Sequence, residues 1–189
     1  MELRKNSFLN YKLFNSSFTG LSIGILFQIY QPLTPTTYSI GGILLATCML
    51  IVAKFYEKLL NIKSFYYISI MVEFIILLTI IIFLIMQYSL TSALLIYIGY
   101  QLTFIFGGYL VRAETLIAPK KEFLGKLDTY KQIGYLGGLS FSFLFYKALE
   151  YSFEINEPKV QIGILHYFLI ILQLIIIILL VRSFKKINN

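Results

Sequence analysis

Six apolar stretches, at about residues 13–32, 38–57, 65–87, 91–112, 129–149 and 161–182, take up most of this chain. A helix needs about 20 mostly apolar residues to cross the roughly 30 Å hydrocarbon core of a bilayer, and each stretch meets that length. Together they occupy about two thirds of the 189 residues, and no loop between them is long enough to fold separately. Charged residues are only 13% of the chain, where soluble domains carry about 25%. The expectation is an all-α integral membrane protein whose residues 1–189 form a single six-helix membrane domain.

The net charge of +7 would suggest a nucleic-acid partner in a soluble protein, but here its placement along the loops decides its meaning. With six spans, Arg4, Lys5, Lys12, Lys54, Lys58, Lys63, Arg112, Lys120, Lys121, Lys126, Lys131, Arg182, Lys185 and Lys186 fall on one side, 14 of the 16 cations. Only Lys147 and Lys159 flank the other side, among Glu150, Glu154 and Glu157. The positive-inside rule then puts both termini in the cytoplasm of a multi-pass plasma membrane protein, a bacterial inner-membrane protein, with the bilayer as partner and no nucleic acid. The first apolar stretch follows basic residues as a signal peptide would, but it lacks a small-residue cleavage pattern and reads as a retained helix. Cys48 is the only cysteine, so no intrachain disulfide can form, and it reads as a small apolar residue of helix two.

Small residues recur at four-residue spacing, which lets helix backbones approach closely in lipid. Helix one carries Ser16, Gly20, Gly24 and Gln28; helix four carries Gly99, Thr103 and Gly107; helix five carries Gly134, Gly138 and Ser142. Helices three and six are nearly all aliphatic, and helix three reads as lipid-facing all round after Glu73. The order of character, a glycine-and-polar helix, a Gly-Gly helix and an aliphatic helix, occurs twice. Three spans are an odd number, so the second triplet must be inverted relative to the first, as in the three-plus-three inverted repeats of secondary transporters.

These features resemble one half of a major facilitator superfamily transporter, whose usual member has two six-helix halves. The family's loop after helix two carries Gly-x-Leu-x-Asp-Arg-x-Gly-Arg-Lys, and the similar window here holds Ala53, Phe55, Glu57 and Lys58, with Leu60 and Asn61 in place of the second glycine and the next arginine. The family's approach to helix five, with Pro, charge and Gly, is similar to Pro119, Glu122, Gly125, Gly134 and Gly138. In helix four the family has Arg followed three residues later by Gln, where this chain has Ile98 and Gln101. The resemblance implies peripheral helices three and six, a gate at the cytoplasmic ends of helices two and four, and alternating access to a central cavity. The gating candidates are Glu57, Lys58 and Arg112, with Glu57 paired to Arg112, although Arg112 beside Glu114 also reads as an interfacial anchor.

Glu73 lies roughly 12 Å inside helix three at 1.5 Å per residue, and an ionisable group at that depth is a functional candidate by default. Its two readings are a proton-coupling carboxylate and a paired acid that packs helices together. Gln28 and Gln101 are the substrate-binding candidates, on helices expected to line a cavity, while Gln173 reads as glue between helices. Ser140 and His166 have the residue types of an intramembrane serine protease, but their depths disagree. A single histidine and a single cysteine leave no metal-ligand cluster, and no nucleotide loop occurs, so neither metal, cofactor nor catalytic residue is expected. The function read from the sequence is a transporter for a small-molecule solute, assembled as a parallel homodimer or with a second six-helix chain. The alternatives are a solute-binding membrane subunit of an energy-coupling complex and a structural membrane partner.

Overall fold

The first helix begins at Lys5, eight residues before the apolar run at which the sequence places its start, and this extension brings Tyr11 and Lys12 onto a helical face. A computed structural model describes residues 1–118 and 120–185; Pro119 of the loop pattern and Lys186 of the cytoplasmic cations lie outside the described residues. The helices are α1 (Lys5–Ile29), α2 (Pro35–Lys54), α3 (Tyr56–Leu59), α4 (Ile62–Met86), α5 (Leu90–Ile105), α6 (Gly107–Ile117), α7 (Lys121–Phe153) and α8 (Pro158–Arg182). Two-residue strands β1 (Glu2–Leu3) and β2 (Phe184–Lys185) pair antiparallel, so the N-terminal residues and the end of α8 meet at one end of the bundle.

Local chemistry sets the boundaries. Thr34, Asn61 and Ser89 cap α2, α4 and α5 by accepting from the backbone N–H groups of Thr37, Ser64 and Ser92, which satisfies donors that helix starts leave orphaned. Pro35 and Pro158 open their helices at a position where the missing N–H is not needed. α5 and α6 are one span interrupted at Phe106, just before Gly107 and Gly108, where low helix propensity makes a break cheap.

Four of these elements are long and apolar enough to cross a membrane: α2, α4, the α5–α6 unit Leu90–Ile117, and α8. α1 and α7 are long enough but more polar, and they make the most extensive helix contact in the molecule with each other. Neighbouring helices follow one another in space as α7, α1, α8, α4, α5, α2. The α1–α7 seam is backbone on backbone. A Cβ on Gly134 would overlap the carbonyl of Leu13, one on Gly138 the carbonyl of Ser17, and one on Gly20 the carbonyl of Tyr135.

Contrary to the expectation from the sequence, α4 is not lipid-facing all round after Glu73, because one side of it meets α8. They pack on each other, α4 burying Phe65, Ser69, Val72, Glu73, Thr79, Ile80 and Phe83, and α8 burying Gln161, Leu165, His166, Leu169, Gln173, Ile176 and Leu180 among others. Their exposed large hydrophobics, such as Phe74, Leu78 and Ile85 on α4 and Ile171, Leu174 and Ile178 on α8, form the outer side. An aliphatic sequence cannot distinguish these faces, because lipid tails and a packed helix interface accept the same residues. α2, in contrast, buries no residue at all.

Candidate functional site

Glu73 is 1% exposed, enclosed where α1, α4 and α8 meet. Tyr11 Oη donates to Glu73 Oε1 at 2.7 Å and Asn15 Nδ2 donates to the same oxygen at 2.9 Å. Tyr11 and Asn15 are one helical turn apart on α1 and so share the face turned to α4. From α8, Gln173 Nε2 donates to Glu73 Oε2 at 2.8 Å and to the Glu73 carbonyl at 2.9 Å. Gln173 is fully buried, as its role between helices requires. All three side-chain partners are donors, which suits a carboxylate. A proton on Glu73 would add a donor where two donors already converge or where an amide N–H points. Changing the protonation of this one group therefore disturbs the α1 donors if the proton sits on Oε1 and the α8 donor if it sits on Oε2.

A second buried carboxylate lies near the end of the bundle where the chain termini meet. Glu114 on α6 forms ion pairs with Lys12 of α1 through Oε2 and with Lys131 of α7 through Oε1. The three side chains are 6%, 13% and 26% exposed for Glu114, Lys12 and Lys131, so the centre is largely enclosed. Lys131 also approaches the exposed Asp128 at 3.5 Å, and the Lys12 ammonium lies 5.4 Å from the centres of the Phe8 and Tyr11 rings. Because Tyr11 and Lys12 are consecutive, α1 connects the two carboxylate centres directly. The sequence reading placed Lys12 and Lys131 among the loop cations and Glu114 beside an interfacial anchor. The signal available was opposite charge at similar depth on three helix ends.

Farther from the termini, Ser22, Thr79, Tyr100 and His166 contribute polar groups to an internal cavity of about 20 Å³, the room one water needs. His166 is buried, its ring stacked on Phe83 with centroids 3.7 Å apart and its Nδ1 2.8 Å from the Ile162 carbonyl oxygen. Ser140 is exposed on α7, so the two are not brought together as nucleophile and base.

The remaining predicted residues are placed separately. Gln101 is partly buried in α5, facing a groove against α2, while Gln28 is exposed on α1 and does not line that groove. Glu57 and Lys58 are exposed on the short α3 and Arg112 is exposed on α6. Among the described residues no ion pair joins Glu57 to Arg112. These helix ends are held instead by Tyr109 of α6, whose Oη donates to the Leu59 carbonyl at 2.8 Å and whose ring packs edge-on against Tyr56. A buried phenol satisfies its hydroxyl on a helix-end carbonyl, whereas two long charged side chains at an exposed end gain little from pairing.

No protein-family model, no curated protein and no solved structure matches this chain.

Proposed function

We propose that the chain is a six-span half-transporter of the major facilitator type, an inner-membrane protein with both termini in the cytoplasm. Two such units, arranged in parallel, move a small solute by alternating access. The observation that carries this reading is the order of helix neighbours, α7, α1, α8, α4, α5, α2. Exchanging the first triplet (α1, α2, α4) for the second (α5, α7, α8) turns that order into its own reverse. A chain built from two equivalent triplets packs in this way, and three spans per triplet make the second one inverted.

The distribution of polar groups supports a second wall. The outer sides of α4 and α8 are apolar, but α1 leaves Thr19 and Gln28 exposed, and α7 leaves Gln132 and Ser140 exposed. Lipid does not select such residues, so another helix or an aqueous cavity is needed beside them. Glu73 is the proton-coupling candidate of this reading, because donors from both triplets converge on it, those of α1 on Oε1 and that of α8 on Oε2.

Cross-linking in native membranes tests the pair: a homodimer with Lys120 and Lys121 reachable only from the cytoplasm is expected. A monomer, or these lysines labelled from outside, overturns the paired arrangement, and a stable complex with an ATPase would favour the solute-binding subunit instead. In reconstituted vesicles, Glu73→Gln is expected to abolish proton-driven uptake while leaving solute exchange measurable. Unchanged uptake in that variant would leave Glu73 with a packing role only.

A further inference from the structure

The internal cavity of about 20 Å³ is enclosed by four helices, with Ser22 from α1, Thr79 from α4, Tyr100 from α5 and His166 from α8, and no Asp, Glu, Lys or Arg lines it. On α5 the residue before Tyr100 is Gly99, and the Thr79 methyl occupies the space that a Cβ there would need, so α4 and α5 approach closely at this level. Three of the four polar side chains have already given their hydrogen away. Ser22 Oγ donates to the Thr19 carbonyl at 3.4 Å and Thr79 Oγ1 to the Ile76 carbonyl at 2.7 Å, which leaves both oxygens as acceptors. His166 Nδ1 lies 2.8 Å from the Ile162 carbonyl, a group that can only accept, so the neutral ring carries its proton on Nδ1 and Nε2 is an acceptor as well. Tyr100 Oη is the remaining donor.

We propose that this cavity is a binding site for one water molecule, which accepts from Tyr100 Oη, donates to His166 Nε2, and gives its second hydrogen to Ser22 Oγ or Thr79 Oγ1. Size and polarity decide the occupant. A cavity of this volume with roughly two to four polar partners holds a water, whereas an apolar one of the same size stays dry. An ion would enter without a counter-charge, and a solute of several heavy atoms does not fit. A neighbouring side chain that closed the space with a methyl group would leave the His166 acceptor buried without a donor. Glu73 lies six residues before Thr79, about 9 Å along α4, which is farther than one water reaches, so the water and the carboxylate are separate centres. The four helices are also the pairs that the proposed triplets exchange, α1 with α5 and α4 with α8, which places the water where the two triplets meet. The site itself stands on the packing and does not need that reading.

His166 is the sole histidine of the chain, so nitrogen-15 labelling of histidine in the full-length protein gives the ring signals of this residue alone. Solid-state NMR of the parent chain in lipid bilayers is expected to show the proton on Nδ1, an Nε2 resonance shifted as that of a hydrogen-bond acceptor, and transfer of magnetisation from water protons to Nε2. Tyr100→Phe removes the donor to the water and is expected to weaken that transfer and move Nε2 toward the position of an unbonded ring nitrogen. Phe27→Leu, at an exposed position of α1 outside the cavity, should change neither signal. The deciding measurement is made on the parent chain and does not depend on the folding of a variant. Absence of water transfer to Nε2 overturns the site, and an acceptor shift without that transfer means that a protein hydroxyl bonds the ring directly. A ring proton found on Nε2 reverses the donor and acceptor pattern and overturns it too, and transfer unchanged in Tyr100→Phe removes Tyr100 as the donor.

Discussion

Glu114→Leu is expected to cost about 3–5 kcal/mol of stability, the range for removing one member of a buried ion pair and leaving its partners uncompensated. Two ammonium groups depend on this carboxylate. They do not depend on it equally. Lys131 is 26% exposed and within 3.5 Å of the exposed Asp128, so its flexible stem can carry the charge toward water and that second carboxylate. Lys12 is 13% exposed, is packed over Phe8 and Tyr11, and has Glu114 as its only ion-pair partner among the described residues. The loss should therefore fall mainly on Lys12. Adding Lys12→Met to Glu114→Leu is expected to recover most of the stability, whereas adding Lys131→Met should recover little. Thermal unfolding of the purified variants reads both effects. Equal recovery by the two second changes would show that the centre acts as a symmetric triad rather than as an anchor for α1.

The helical character of the apolar runs was readable because a bilayer imposes a length; of the six expected spans, four are long and apolar enough to cross a membrane among the described residues. The small-residue face of α7 was readable as well: Gly134 and Gly138 meet α1 backbone to backbone. Of the stripe Ser16, Gly20, Gly24 and Gln28, Gly20 meets a neighbouring backbone, while Gly24 has open space and Gln28 is exposed. What was not readable follows from two physical facts. First, apolar residues do not reveal whether lipid or another helix covers them, so the packing of α4 on α8 was hidden in their hydropathy. Second, helices extend past the hydrocarbon into the headgroup region, where hydropathy falls although the backbone stays helical. α7 runs for 33 residues, from Lys121 rather than from near residue 129, and α1 gains a similar length at its start. Tyr11 and Lys12 lie in that extra length, and with them the link between Glu73 and Glu114. The expected Glu57–Arg112 contact came from charge and depth alone, and Tyr109 makes the connection that those charges do not.

Gly138→Val should separate α1 from α7. The Cβ alone would overlap the Ser17 carbonyl, and the neighbouring Leu21 amide nitrogen would lie 3.0 Å from it, so the obstruction is backbone that cannot rotate away. Overpacking of side chains costs about 1–3 kcal/mol where neighbours can shift, and a contact with two backbone groups belongs at or above the top of that range. At about 3 kcal/mol a chain of this size should melt roughly 6–12 °C lower. Gly137→Val is the control, one residue away on the same helix with nothing within 4 Å of its Cβ, and it should stay within about 0.5 kcal/mol of the parent. The consequence extends beyond the seam, because α1 carries Tyr11, Lys12 and Asn15 and holds both buried carboxylates through them. Displacing α1 by the width of a methyl group would lengthen those hydrogen bonds together. On the proposed transporter reading, Gly138→Val should therefore also lose proton-driven uptake at temperatures where most of it remains folded, and Gly137→Val should lose neither stability nor uptake. If the two valine variants melt together, the α1–α7 seam is not close-packed in the membrane and the route by which α1 joins the carboxylate centres must be abandoned.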